Sequence, residues 1–298
     1  MTTTGRLRTF VALADTGSVR AAAQQLVVTE SSVSSAVSAL AAEVGVPLIA
    51  KNGRGVRLTP AGERYASYAR KILGLYAEAT AAAHDVAEPG RGTVRIAAVT
   101  TAGEHVLPAL LASFRARHPG IELRLDVAPR AAVWPMLAHH EVDLVVAGRP
   151  PDGLAGRTRA ASPNTLVVVG PPADAPGFRP DLATWLLREP GSGIRATTAF
   201  LLEHLDADPR QMTLGSHGAV VAAAVVGLGV TLVSRQAVRA QIEDGSLVEL
   251  PVAGTPLQRP WHAVSGCDPT PSTELLVRHL LAHPELGWRP PPSDQGQE

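Results

Sequence analysis

The chain has 298 residues, of which 45% are hydrophobic and 18% charged, with 27 basic side chains against 27 acidic ones. That length accommodates two or more domains, and that composition excludes a disordered chain. Zero net charge, taken alone, argues against a nucleic-acid binder. The charge is unevenly placed, however. Residues 1–71 hold nine basic and four acidic side chains, a local +5 that leaves −5 on the remainder. A basic N-terminal module on an acidic body suits a DNA-binding unit joined to something else. The single cysteine, Cys267, excludes an intramolecular disulfide and a cysteine-rich metal site, and reads as a small residue near a strand end. No secretory signal pattern and no run of about 18 apolar residues is found, so a cytoplasmic protein without a membrane partner is expected.

Residues 1–59 read as short helices followed by a hairpin. Leu7, Phe10, Val11 and Ala14 recur at helical spacing and give one apolar face. Gly17 stops that helix and Ser18 caps the next, Val19 to Gln25, whose Ala21, Ala22 and Ala23 allow close helix approach. Thr29 caps a third helix with Val33, Val37 and Leu40 on its inner face, ended by Gly45. Helix, short turn, helix is the DNA-binding helix-turn-helix pattern. Lys51-Asn52-Gly53-Arg54-Gly55 lies between Pro47-Leu48-Ile49 and Val56-Arg57-Leu58 and predicts a hairpin wing.

Thr59-Pro60 opens a long helix that runs to about residue 88. Ala61, Tyr65, Tyr68, Ile72, Leu75, Ala79, Ala82 and Val86 alternate in steps of four and three, a heptad seam suited to dimerisation; packing on its own domain is the alternative. Residues 89–92 read as a hinge. Beyond them strands alternate with helices: a strand at Val94–Val99, a helix at Glu104–Arg117, and strands at Ile121–Val127, Val142–Ala147 and Thr165–Val169. This alternation predicts an α/β domain over 93–288, with one lobe at about 93–169 and 261–288 and the other at about 170–260. Residues 289–298 read as a frayed tail.

Residues 1–62 resemble the DNA-binding domain of LysR-type transcriptional regulators. The matching stretches are Leu7-Arg8-Thr9-Phe10, Gly17-Ser18-Val19-Arg20-Ala21-Ala22, Thr29 to Val37, and Gly53-Arg54-Gly55-Val56-Arg57-Leu58-Thr59-Pro60-Ala61-Gly62. The long helix and the two-lobed remainder fit the same family. The resemblance implies an N-terminal all-α winged helix-turn-helix and an α/β effector domain similar to periplasmic binding proteins, with two lobes joined by two crossover strands. It implies a homodimer that pairs into a tetramer, with RNA polymerase as a candidate further partner. The chain departs from the family at Thr29-Glu30-Ser31, where Ser-Gln-Pro or Ser-Gln-Ser is usual. Ser35 stands where arginine is frequent, and Leu48-Ile49-Ala50-Lys51 replaces Leu-Phe-x-Arg.

On this reading Ser31, Ser32, Ser34, Ser35 and Ser38 meet double-stranded DNA, with Ser18 and Thr29 at the helix starts. Arg20, Lys51, Arg54 and Arg57 supply phosphate and groove electrostatics. Glu30 either accepts from cytosine N4 or favours its helix N-terminus. Pairing through Tyr65, Tyr68, Ile72, Leu75 and Ala79 implies an inverted-repeat operator. The family's effectors bind between the lobes, where Thr100, Thr101, Gly148, Arg149, Ser192, Gly193 and His217 are the candidates for a small anionic effector. Arg149 alternatively forms a lobe-to-lobe salt bridge, and His217 a capped core histidine. No cofactor, catalytic constellation or metal centre is expected: Gly191-Ser192-Gly193 lacks the nucleophile-elbow spacing, and His139-His140-Glu141 with Asp143 lacks the helical metal spacing. The competing reading is a solute-binding or enzymatic α/β protein without DNA regulation.

Overall fold

The computed structural model describes residues 2–53, 55–88, 90–283 and 287–291. They form two compact units. One runs to His84 and takes in Ala138–Val142; the other holds Asp85–Leu137 and the chain from Asp143 onward.

The first unit starts with α1 (Thr3–Thr16), α2 (Val19–Leu26) and α3 (Glu30–Val44). Each begins on a hydroxyl. Thr2, Ser18 and Thr29 accept from the amides of Gly5, Ala21 and Ser32, satisfying a donor that the first turn leaves free. Gly17 and Gly45 end α1 and α3 in the left-handed region. Phe10, Leu13, Val33, Val37, Leu40 and Leu48 form the core. The wing is β1 (Ile49–Asn52) paired antiparallel with β2 (Gly55–Leu58). It is tied to the helices by the Val56 amide, which donates to the Gly17 carbonyl at 3.0 Å.

The long helix α4 (Pro60–Ala87) starts on Thr59, whose hydroxyl accepts from the Gly62 amide at 2.9 Å and donates to the Pro47 carbonyl at 2.8 Å. Gly62 must be glycine for space: a β-carbon there would lie 1.9 Å from the Leu48 carbonyl oxygen. Ala66 and Ala69 face the core, and the Tyr65 ring meets Phe10 edge-on at 5.6 Å. Tyr65 therefore turns inward, a correction to its expected place on the outer seam. Tyr68, Ile72, Leu75, Tyr76 and Val86 are exposed, with Ala79 on the same open side. In this unit His140 Nδ1 also meets a Glu78 oxygen at 2.7 Å.

Among the described residues the second unit contains three sheets, two larger ones and a two-stranded pair. The first has the order β4-β3-β5-β13-β6, from β3 (Thr93–Ala98), β4 (Glu122–Val127), β5 (Leu144–Ala147), β6 (Arg157–Ser162) and β13 (Trp261–Ser265). β3 runs parallel to β4 and β5, while β13 is antiparallel to β5 and β6. Helices α5 (Thr100–His105), α6 (Leu107–Arg117) and α7 (Arg130–Ala138) follow β3 and β4, and α11 (Pro271–Ala282) follows β13. Ile96, Phe114, Leu144, Trp261 and Leu276 are among its core residues. Asp143, weighed above as a metal ligand, is instead gripped by Arg95, through both the Arg95 amide and its guanidinium.

The second sheet is built on β7 (Thr165–Gly170), flanked by β10 (Thr231–Ser234) and β11 (Val248–Glu249) and also paired with β12 (Leu257–Gln258). Leu166 and Val168 enter one core and Val167 and Val169 another, the period-2 pattern of a strand covered on both faces. A parallel pair, β8 (Trp185–Leu187) with β9 (Gln211–Thr213), and helices α8 (Gly193–His204), α9 (His217–Val225) and α10 (Arg239–Glu243) complete this lobe. β7 was expected in the first lobe; its partners place it in the second. The helix expected from Glu104 begins at Thr100 and breaks at Val106. The tail expectation falls mostly on 292–298, outside the described residues, and Arg289 pairs with Ala161 beside β6.

Candidate DNA-reading surface and effector cleft

The apolar face of α3 is consumed by the core, which leaves its hydroxyls outward. Ser31, Ser32, Ser34, Ser35 and Ser38 are all exposed. Thr29 Oγ1 lies 2.9 Å from Ser31 Oγ and 2.8 Å from Ser32 Oγ, so the first turn forms a small hydroxyl cluster. Glu30 is exposed at the first helical position, where a carboxylate favours the helix dipole. Arg20 lies exposed in the first turn of α2, and it lines an open groove with Val27, Val28, Thr29 and Glu30. Ser18 is half-buried by its capping role. Lys51 and Arg57 are exposed on opposite strands of the wing, in adjacent pairs of the ladder. Arg54 lies outside the described residues. The arrangement can donate hydrogen bonds to phosphate oxygens and base edges along one helix, with cations at its flanks.

Val27 was not expected to matter. It ends α2 at φ 55°, a left-handed conformation that is rare for a β-branched residue, and is 90% exposed. Nothing in the amino-acid pattern marks this position, because the strain comes from the turn that sets α2 against α3.

The second unit has a cleft of about 90 Å³. Thr100, Thr101, Gly148, Arg149, Ser192 and Gly193, all named from sequence, line it. Thr100 and Thr101 sit in the first turn of α5 rather than before a helix, and Ser192 caps α8. Arg149 is largely exposed, with Asp152 3.8 Å from its guanidinium. His217 does not line the cleft. It is buried in the first turn of α9, its ring 5.4 Å from that of His105. Burial, aided by the nearby Arg188 and His105 charges, pushes its pKa down to about 4, so the imidazole is neutral near pH 7.

The cleft residues missed from sequence include Arg130, Asn164, Arg188, Glu189 and Arg259, and four of these carry charge. Arg188, at the end of β8 and 6% exposed, forms a two-pronged pair with Glu189 at 2.7 Å and donates to Thr100 Oγ1 at 3.1 Å. The hydrogen bonds from Arg188 hold the Glu189 carboxyl below its usual range. Arg130 opens α7 and donates to the Arg149 carbonyl at 2.8 Å. Burial and then the charge of Arg259 lower its pKa. Arg259 precedes β13, and Asn164 sits between β6 and β7. The Arg-Glu-Pro run before Gly191-Ser192 was a visible signal for Arg188. Arg130, Asn164 and Arg259 meet only because distant segments converge.

The comparisons with known proteins agree with this architecture. Residues 4–63 match the model described as bacterial regulatory helix-turn-helix protein, lysR family, and residues 87–285 match the LysR substrate binding domain. The HTH-type transcriptional regulator CfxR of Cupriavidus necator is 34% identical over 290 residues, covering 93% of this chain and 90% of the relative. A RuBisCO operon transcriptional regulator of Allochromatium vinosum is 36% identical over 268 residues, covering 87% and 88%. The crystal structure of full-length CbnR complexed with its target DNA shares the fold, with a TM-score of 0.64 at 20% identity, covering 93% of this chain and 98% of that one. The chain belongs to the LysR family of bacterial helix-turn-helix transcriptional regulators, a DNA-binding domain followed by an effector-binding domain.

Proposed function

We propose that this chain is a cytoplasmic, non-enzymatic regulator that works as a homodimer, pairs further into a tetramer, and binds an inverted-repeat operator under the control of a small anionic effector. Residues 1–59 read the DNA and α4 joins two copies. Residues 93–288 bind the effector, with the lobes meeting at Asn164 and Arg259. Ser31, Ser32, Ser34, Ser35 and Ser38 contact the DNA, with Arg20, Lys51 and Arg57 on its phosphates. Thr100, Thr101, Gly148, Arg149, Ser192 and Gly193 contact the effector. RNA polymerase is the further partner through which a bound dimer acts. Among the described residues, no helix is long and apolar enough to cross a membrane. Two relatives are named RuBisCO operon transcriptional regulators, so the upstream DNA of such an operon is the first target to test.

The observation that carries the effector reading is the charge of the cleft. Arg130, Arg149, Arg188 and Arg259 all line it, and Glu189 is its one acidic lining residue among those described. Like charges brought together in a half-buried site favour an anionic guest. Thermal unfolding in the presence of small carboxylates, phosphorylated metabolites and neutral sugars, at constant ionic strength, tests this. Ligands that bind the folded state raise Tm. Stabilisation by anions alone is expected; stabilisation by neutral compounds alone would contradict the reading.

A further inference from the structure

The four cleft arginines are not equivalent. The charge of Arg188 is cancelled on site, since Glu189 holds its guanidinium with two bonds of 2.7 Å while Thr100 takes a third. Arg149 extends toward solvent beside Asp152. Arg130 spends one N–H on the Arg149 carbonyl and stacks over Trp134, and among the described residues no carboxylate pairs with it. Arg259 is held only by its backbone, which donates to and accepts from Asn164, and no ion pair or side-chain hydrogen bond occupies its guanidinium among the described residues. Arg130 and Arg259, with Arg149, also line a second open groove that shares these residues with the cleft. Trp261 also lines the cleft and is 5% exposed, and its indole Nε1 has no partner among the described residues. A buried N–H without an acceptor is costly unless something else completes it.

We propose that the charged group of the effector is bound by Arg130 and Arg259 at the crossover end of the cleft, and that the Arg188–Glu189 pair contributes no net charge to its recognition. This rests on the anionic-effector reading and assigns its charge to two residues. The inner end, with Thr100 and Ser192, then takes the uncharged, hydroxyl-bearing part of the ligand. Two guanidiniums with no carboxylate partner among the described residues match a phosphate or a carboxylate pair better than a single carboxylate, because each presents a planar fork of donors.

The test is calorimetric titration of the full chain with inorganic phosphate and with pyrophosphate, at constant ionic strength. Arg259→Gln and Arg130→Gln are each expected to weaken binding by about tenfold or more, the scale of one charge-assisted hydrogen bond. Arg259→Gln should fold normally, since among the described residues only its backbone is hydrogen-bonded. Glu189→Gln frees Arg188 and is expected to tighten binding. The double variant Arg188→Gln with Glu189→Gln keeps the net charge and is expected to weaken binding less than either crossover variant does. Loss of binding in the double variant, with both crossover variants unaffected, would overturn the assignment while leaving an anionic effector in place. Absence of any heat with the unmodified chain would instead remove the anionic reading and this assignment together.

Discussion

Asn164 and Arg259 hold each other across the two crossovers between the lobes. The Arg259 amide donates to the Asn164 carbonyl at 2.8 Å, and Asn164 Nδ2 donates to the Arg259 carbonyl at 2.9 Å. Ser234 Oγ, wholly buried, donates to Asn164 Oδ1 at 2.7 Å. One amide side chain thus ties the lobe junction to the second sheet. Asn164→Ala removes both side-chain bonds and strands the Ser234 hydroxyl and the Arg259 carbonyl. A loss of about 2–4 kcal/mol in urea unfolding is expected. A loss below the error of the extrapolation would show that water replaces Asn164 at no cost.

Gly62→Ala tests the close approach of α4 to the wing. The added β-carbon would stand 1.9 Å from a backbone oxygen, which cannot rotate away as a side-chain tip would. Overpacking of this kind costs about 1–3 kcal/mol, and more where backbone must move. Circular dichroism melting should show a lowered Tm. An unchanged Tm would mean that the start of α4 is held more loosely than described.

His217 makes stability depend on pH. Its pKa is lowered in the folded chain, first by burial, from 6.5 to about 4. The unfolded chain therefore binds the extra proton between about pH 4 and 6.5, and the His217 contribution is complete above that window and is lost as pH falls through it. The slope can amount to about 3 kcal/mol in total. Urea midpoints of the unmodified chain and His217→Gln, measured from pH 7 to pH 4, should converge as the pH falls. Parallel curves would assign the acid sensitivity to other groups.

The first unit was readable in the sequence because its signals are local. Thr2, Ser18 and Thr29 as caps, Gly17 and Gly45 as stops, and Asn52-Gly53 in the wing each act within a few residues. The cleft was only half readable. Thr100 and Ser192 announce themselves as polar residues at the ends of strands or starts of helices. Arg130 and Arg259 lie far apart in the chain and have no shared pattern. β7 was misplaced for the same reason: its partners β10, β11 and β12 follow it by more than sixty residues. Tyr65 fitted the heptad as well as Tyr68 did. Periodicity names a face but does not say whether Phe10 or a second copy covers it.

Dimerisation through α4 is tested by charging its open side. Ile72 and Leu75 are each about half exposed. Ile72→Glu with Leu75→Glu places like charges on each copy, and such juxtaposition costs several kcal/mol. Sedimentation should then show a monomer with unchanged helicity. A persistent dimer would move the interface away from this stripe.

The central claim is that two copies read paired half-sites through α3, and DNase footprinting of the full chain on upstream intergenic DNA tests it most directly. The prediction is a protected inverted repeat with half-sites about one helical turn, or a multiple of it, apart, lost when Arg20 and Ser34 are both replaced by alanine. Absence of protection at low salt, with the protein folded and dimeric, would contradict it.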